Sequence, residues 1–323
     1  MHAIRARVLE RLTSFTDPQL MSLGWSFSNA TSALDQELWQ RLRHEAQRRG
    51  ALLDGGKTSS ASSKYYIPSV PIVFESNSHI VIDKPRGLVV SIESDLGESS
   101  RGVSRKFSGS SPELQTLIAE HAHAEIAKKS EFAHGILHRL DKGTSGALLI
   151  AKTFAAFYDL RMQFACGKLD KEYIAIVRGI LGPLNEWKSL ESRIATHKKT
   201  LSNLHIRSEV DQYGKRASTR IFPLAHLRDE TGHMTVVRVR LHTGRTHQIR
   251  VHLSSMGHPL VGDVKYGKVT DNPDSFMLHA LKLKYFDPSG EDQIVSIAPI
   301  PSVFKVKIES SDLIDGIICV DNI

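Results

Sequence analysis

Beyond residue 71, short segments that alternate between apolar and polar residues are interspersed with segments whose apolar residues recur at helical spacing. Residues 235–242 alternate between apolar and basic side chains, which is the pattern of a strand with one buried face. Residues 246–256 instead repeat apolar side chains every three or four positions, which predicts a helix. Because strands and helices are mixed along the chain, we predict a mixed α/β (α+β) fold. The same reasoning predicts strands at 72–75, 79–84, 147–151, 171–177, 282–286 and 304–308, and helices at 113–129 and 154–166.

Residues 1–69 differ in composition from the rest of the chain. Ser32 and the acidic residues after it predict the start of a helix, and Leu38 and Leu42 follow at helical spacing. Glycine and serine dominate residues 55–63, which predicts a flexible linker. We therefore predict a partly helical N-terminal extension over 1–69 that ends in this linker, followed by a single large domain over 70–323.

The chain is basic, with a formal net charge of +7 among its 323 residues. A basic balance favours polyanionic partners, because Lys and Arg neutralise phosphates and release counterions. A solvated basic surface without such a partner gives the same charge, so composition leaves both interpretations open.

The two cysteines, Cys166 and Cys319, are far apart in the sequence. This spacing argues against a disulfide framework or a thiolate zinc site and fits a reducing compartment. No apolar run approaches the length needed to span a bilayer. The first 12 residues carry three arginines and one acid, a composition shared by organelle-targeting segments and ordinary amphipathic helices. We predict a cytoplasmic protein, and the N-terminus leaves a mitochondrial or plastid location open.

Two patterns that suggest nucleotide or metal chemistry are incomplete. Gly55-Gly56-Lys57-Thr58 resembles the end of a phosphate-binding loop, but Ala51 stands where that loop needs its first glycine. The histidines include no HExxH pair. We therefore predict no metal and no organic cofactor.

The densest polar segment, His138 to Gly146, lies between two apolar strand candidates. Its one carboxylate, Asp141, is flanked by Arg139 and Lys142, and nearby cations favour the ionised form that a nucleophile or base needs. Local physics alone favours the alternative interpretation, an Asx turn with solvated charges.

A second polar segment, residues 241–253, places two arginines, three histidines and a glutamine around a strand-to-helix junction. Helix N-termini attract anions, and arginine binds phosphate or carboxylate with two parallel hydrogen bonds. The alternative is an amphipathic helix whose exposed face is basic.

Five segments, in order, resemble the signatures of the RluA-type pseudouridine synthases. His138-Arg-Leu-Asp-Lys-Gly-Thr-Ser-Gly146 is similar to that family's HRLDxxTSG motif. The other four are Ile82-Asp-Lys-Pro-Arg-Gly-Leu88, Lys171-Glu-Tyr-Ile-Ala-Ile-Val-Arg-Gly179, Gly214-Lys-Arg-Ala-Ser-Thr219, and Thr243 to His252 with its continuation through Asp263 to Gly267. The resemblance covers about residues 71 to 309, and five ordered elements are far more specific than one.

The resemblance implies roles for individual residues. Asp141 matches the family's essential aspartate, and Arg250 matches the basic residue that pairs with it. Tyr173 matches the active-site tyrosine that stacks near the base and is implicated in proton removal at C5. Arg139 matches the arginine that helps to hold the target nucleotide out of its stack. With these motifs we predict six RNA-binding residues: Lys84, Arg139, Thr144, Arg245, His247 and Gln248.

The resemblance also implies a pseudouridine synthase fold, with a long, mixed, largely antiparallel sheet flanked by helices and a basic cleft. The implied activity is isomerisation of specific uridines in rRNA or tRNA by the domain over 70–323, with RNA as the partner and no obligate protein partner or membrane evident. A non-catalytic RNA-binding or RNA-folding protein on the same fold is the alternative, but it would not need Asp141, Tyr173 and Arg250 together. Residues 1–69 do not resemble the S4 RNA-binding domain that many relatives carry.

Overall fold

The computed structural model describes residues 8–30, 36–55, 66–90, 113–198, 206–267 and 276–316. The helices are α1 (Asp17–Ala30), α2 (Gln36–Leu53), α3 (Leu114–His121), α4 (Phe154–Ala165), α5 (Gln248–Ser255) and α6 (Ser302–Glu309). The strands are β1 (Ile72–Glu75), β2 (His79–Lys84), β3 (Ser145–Ala151), β4 (Asp170–Arg178), β5 (Lys188–Lys198), β6 (Ile206–Val210), β7 (Lys215–Asp229), β8 (Gly232–Leu241), β9 (Leu278–Phe286), β10 (Gln293–Ile297) and β11 (Asp312–Gly316). Beyond Gly55, the predicted linker lies outside the described residues, as does the predicted helix start at Ser32.

The chain divides into two compact units. Unit 1 contains residues 1–140, 147–169 and 283–297, and unit 2 contains residues 141–146, 170–282 and 298–323. This division does not coincide with the boundary predicted near residue 69, because α1 and α2 belong to the same unit as α4.

Helix α2 packs closely against α4 inside unit 1. A Cβ atom on Gly50 would lie 2.4 Å from the Cα atom of Ala155, so only glycine permits this approach of the two backbones. The Asp54 carboxylate accepts hydrogen bonds of 3.0 Å from the backbone N–H groups of Phe154 and Ala155 and so caps α4. The apolar residues that predicted the helix, including Leu38 and Leu42, are buried.

A buried ion pair strengthens the same contact. Arg43 Nε donates to Asp159 Oδ1 at 2.7 Å, and the Asp159 side chain is fully buried. The Arg43 guanidinium also donates to the backbone carbonyls of Asp287 and Gly290. Burial raises the pKa of Asp159 to about 6, although Arg43 acts to lower it. Residues of α2 are therefore part of the interior of unit 1.

The strands of unit 1 follow the order β1-β2-β3-β9, and β10 pairs with β9. Strands β1 and β2 are antiparallel, with Ile72 opposite Ile82. Their bounds confirm the prediction from the alternating pattern.

Strand β9 has residues in both units, because residues 278–282 belong to unit 2 and residues 283–286 to unit 1. The strands of unit 2 follow the order β9-β4-β8-β7-β5-β6, and β11 pairs with β7. The pairs from β4 to β6 are all antiparallel, whereas β3 meets β9 in a parallel register at Ser145 and His279. The prediction of a mixed α/β fold with a large, mostly antiparallel sheet is confirmed. The predicted basic cleft stays a prediction.

The predicted strand at 304–308 is wrong, since these residues form helix α6. Phe304, Val306 and Ile308 alternate in sequence, but Phe304 and Ile308 are also one helical turn apart. Both are buried against the apolar cluster of β4 and β8, whereas Val306 is 60% exposed. The helix is favoured because it buries these two side chains on one face.

Candidate active site

The loop that carries Asp141 is seated on β9 of unit 2. The Thr144 N–H donates to the Asp141 carbonyl at 3.0 Å and closes a turn. Gly146 has a φ of 111°, and a Cβ atom there would lie 2.2 Å from the Ala280 carbonyl oxygen. The glycine that ends this motif is therefore required by the close approach of β9, and that approach fixes the position of Asp141.

The start of α5 is held by Gln248. Its Oε1 atom accepts from the Thr243 hydroxyl at 2.7 Å and from the Arg245 N–H at 2.9 Å. Its Nε2 atom donates to the Ser218 carbonyl and to the Thr219 hydroxyl, each at 2.9 Å. This side chain anchors the loop before α5 to β7, so that Arg250, two residues later, has a defined position.

Arg250 connects two carboxylates. Its Nε and Nη2 atoms donate to Asp263 at 2.8 Å each, in a bidentate arrangement. Its Nη1 atom donates to Asp141 Oδ2 at 3.2 Å. The guanidinium also lies over the rings of Tyr266 and Phe276, with its central carbon 4.9 and 5.2 Å from their centroids. The predicted pair of Asp141 and Arg250 is thus present in the structure.

The electrostatics of this cluster favour ionised groups. Burial alone would lower the pKa of Arg250, but hydrogen bonds and charge from Asp263 and Asp141 raise it. Burial alone would raise the pKa of Asp263, but Arg250 and the N–H groups of Tyr266 and Lys265 lower it. Arg250 is therefore a permanent cation beside Asp141.

Tyr173 lies on β4 of the same unit and is 6% exposed. Burial and the charge of Asp141 together raise the pKa of its hydroxyl. The phenol is consequently protonated at neutral pH and interacts electrostatically with Asp141. The three predicted catalytic residues all belong to unit 2.

Three of the six predicted RNA contacts are at residues that are buried in this structure. Lys84, Thr144 and Gln248 are 0%, 2% and 2% exposed. The Lys84 ammonium donates to the carbonyls of Pro85 and Leu88, and Gln248 is bonded as described above. These hydrogen bonds stabilise the protein, and the RNA contacts of Lys84, Thr144 and Gln248 stay predictions. Arg139, Arg245 and His247 are partly exposed, and their RNA contacts stay predictions.

Sequence reasoning missed Asp263, Tyr266 and Phe276 as parts of this site. Asp263 was recognisable in one respect, since a buried arginine needs a buried acidic partner. It also stands in the resemblance segment that follows α5. The packing of the two rings on Arg250 has no signal in the local sequence.

Among the described residues, His197, Glu209 and Asp211 have ligand atoms within 4.8 Å of one another. They lie on or beside the β5–β6 hairpin, and His197 Nε2 is 2.9 Å from a Glu209 carboxylate oxygen. None of the three is in the cluster around Asp141. No helix in the described part of the chain is long and apolar enough to cross a membrane.

Comparisons with known proteins agree with these motifs. The family model for RNA pseudouridylate synthase matches residues 78–255. An RNA pseudouridine synthase of Aquifex aeolicus, named as uncharacterised, is 32% identical over 73% of this chain and 71% of its own length. The ribosomal large subunit pseudouridine synthase D of Vibrio cholerae is 34% identical over 71% of this chain and 67% of its own.

A solved structure, human RNA pseudouridylate synthase domain containing 1, covers 80% of this chain and 95% of its own at a TM-score of 0.57 and 24% identity. This likeness confirms the predicted pseudouridine synthase fold. The relatives and the matched family model together confirm the predicted activity. The chain belongs to the RluA-type RNA pseudouridylate synthases, isomerases that act on uridine in RNA.

Proposed function

We propose that this enzyme modifies uridine in ribosomal RNA, with Asp141 as the catalytic carboxylate, Arg250 as its ion-pair partner and Tyr173 beside the uracil. The observation that carries the assignment is the hydrogen bond between Arg250 and Asp141, in a site where Asp263 holds the guanidinium in place. A purely RNA-binding protein has no use for a largely buried carboxylate that is paired with an arginine in this way.

The reaction breaks the bond between C1′ and N1, rotates the uracil and forms a bond between C1′ and C5, where a proton leaves. Two first steps suit a carboxylate here, attack on C1′ or removal of a proton from the sugar. Both need an ionised Asp141, and Arg250 places a positive charge 3.2 Å from its Oδ2 atom. The Asp141 side chain is 18% exposed, so a substrate can reach it while most water is kept away.

Tyr173 enters the reaction as a neutral phenol, because burial and the charge of Asp141 raise its pKa. A neutral phenol removes the C5 proton only if its own proton leaves at the same time. We therefore propose that the ring packs against the uracil. The hydroxyl accepts the C5 proton as it gives up its own.

Ribosomal RNA is proposed as the substrate class because the Vibrio cholerae relative is named for the ribosomal large subunit. Partly exposed Arg139 and Arg245 would contact the phosphates. Residue-specific contacts to the RNA bases are not needed for this assignment.

The test uses purified protein with ribosomal and transfer RNA from cells that lack it. Pseudouridines are mapped after incubation by carbodiimide modification and primer extension. We expect new pseudouridine in ribosomal RNA with the wild type and none with Asp141→Asn, which keeps the side-chain size and removes the charge.

The control is Asp312→Asn, which neutralises an exposed carboxylate on β11 of the same unit. This variant should modify the same positions at the wild-type rate. Turnover by Asp141→Asn would refute the catalytic assignment, and modification confined to transfer RNA would refute the substrate class.

A further inference from the structure

His247 lies immediately before α5 in an unusual backbone conformation, with a φ of 55°. Its Nδ1 atom is 2.7 Å from the Tyr266 hydroxyl, and its Nε2 atom is 3.8 Å from Asp141 Oδ2. The imidazole therefore lies between a phenol and the carboxylate assigned to catalysis. Its side chain is 13% exposed.

The hydrogen bonds of Tyr266 favour one tautomer of His247. The Tyr266 oxygen already accepts the backbone N–H of Ser208 at 2.9 Å. Its own proton is then best donated to His247 Nδ1, because this is its partner at 2.7 Å. If Nδ1 accepts, a neutral imidazole must carry its proton on Nε2, the nitrogen that faces Asp141.

The imidazole is neutral at physiological pH. Burial lowers the pKa of His247 to about 4; the nearby cations Arg250 and Lys265 also lower it, while Asp141 and Asp263 oppose the shift. A neutral donor suits this position, since a second full positive charge beside Arg250 would stabilise the carboxylate too strongly for it to react.

We propose that His247 is a positioning residue for the isomerisation, whose Nε2–H is the second donor to Asp141 Oδ2 and whose tautomer is fixed by Tyr266. This inference rests on the proposed function of Asp141. The separation of 3.8 Å is longer than a hydrogen bond, so the contact shortens when substrate fills the site.

The arrangement distinguishes the two oxygens of Asp141. Arg250 and His247 both approach Oδ2, and no described residue forms a hydrogen bond with Oδ1. With Oδ2 held by two donors, Oδ1 is the oxygen directed to the sugar. His247 thus sets the rotation of the carboxylate, which Arg250 alone would leave to a single contact of 3.2 Å.

Two substitutions at this position separate donation from backbone conformation. The amide nitrogen of His247→Gln reaches the place of Nε2, whereas that of His247→Asn reaches only the place of Nδ1. Asparagine adopts a positive φ more readily than glutamine. If His247 acts through its backbone conformation, the Asn variant should be the more active of the two. If it acts by donating to Asp141, the Gln variant should be the more active.

We expect His247→Gln to retain most of the wild-type kcat and His247→Asn to lose roughly 10- to 100-fold, because a hydrogen bond to a charged group is lost. The KM for an RNA substrate should change little in both variants. Release of tritium from RNA labelled at C5 of uridine measures both constants. If Asn is at least as active as Gln, or if the loss is in KM alone, His247 has a backbone or RNA-binding role and the inference is wrong.

Asp141→Asn in the same assay separates this inference from the proposed function. An inactive Asp141→Asn with a fully active His247→Asn overturns the role of His247 only. An active Asp141→Asn overturns both.

The tautomer has a test of its own that does not depend on activity. Nitrogen NMR of the full-length protein labelled at histidine, with the His247 signal identified by its absence in His247→Gln, should show the proton on Nε2 at pH 7. Tyr266→Phe keeps the ring that packs on Arg250 and removes the hydroxyl, so it should shift His247 toward a mixture of tautomers and lower kcat. A wild-type proton on Nδ1 would contradict the proposal.

Discussion

Replacing Arg43 by methionine tests whether the N-terminal helices are an extension or a structural part of unit 1. Methionine keeps most of the length and apolar contact of the side chain but removes its charge and donors. The change leaves Asp159 fully buried without its cation, although Gln163 still donates to it at 2.9 Å. It also removes donors from the carbonyls of Asp287 and Gly290.

The expected cost is large and depends on pH. Removing one partner of a buried ion pair destabilises a protein by about 3–5 kcal/mol. The folded-state pKa of Asp159 is already raised from 3.8 to about 6, so its protonated form favours folding, and this contribution is lost as pH rises through 6. Without Arg43 the pKa of Asp159 rises further. Above pH 6, each pH unit should therefore lower the free energy of unfolding of the variant by about 1.4 kcal/mol relative to the wild type, until the pH exceeds the pKa of Asp159 in the variant.

Urea denaturation followed by circular dichroism at pH 5 and pH 8 measures the effect. Arg41→Met is the matched control, since Arg41 is on the same helix, is 58% exposed and pairs with Glu37 at 3.5 Å. That exposed pair should contribute less than about 1 kcal/mol at either pH. If Arg43→Met costs no more than Arg41→Met at pH 8, the helices are not integral to unit 1 and removal of residues 1–69 should be tolerated.

Three further substitutions test the site. Arg250→Lys keeps the charge but cannot hold Asp263 and Asp141 with a planar fork, so kcat should fall at least about tenfold in the tritium-release assay. Asp263→Asn should lower both the melting temperature and kcat, because Arg250 becomes free to bind Asp141 with two hydrogen bonds; unchanged kcat would exclude a positioning role for Asp263. Tyr173→Phe keeps the ring, so it should bind RNA normally in a filter assay while kcat falls. If RNA binding falls as much as kcat, the hydroxyl has a role in RNA recognition.

Local sequence was sufficient where polar turns bound a short apolar run. Strands β1 and β2 have the predicted bounds because their apolar runs end at polar turns. The same reasoning failed at 304–308, where a sequence that alternates also fits a helix. The choice between strand and helix at 304–308 depends on packing against the apolar surface of β4 and β8. That packing cannot be seen in the local sequence.

Composition does not contain the packing of the N-terminal helices or the burial of motif residues. The glycine- and serine-rich segment after Asp54 indicated a boundary, but Gly50 and Asp54 hold the preceding helix against α4. Lys84 and Gln248 are predicted RNA-binding residues because they are polar within matched motifs. Both are buried, so a polar residue in a functional motif is as readily a support for the loop as a contact to the substrate.

The two carboxylates around Arg250 differ in reactivity because the guanidinium binds them with different numbers of hydrogen bonds. Asp263 receives the bidentate pair at 2.8 Å, and Asp141 receives one longer hydrogen bond at 3.2 Å. A carboxylate bound on both oxygens by a guanidinium is a weak nucleophile and a weak base, since its charge is already neutralised. By occupying two of the three donor atoms, Asp263 limits how strongly Arg250 can bind Asp141. The result is a carboxylate that has a cationic partner but keeps one oxygen available, which is the arrangement that the isomerisation needs.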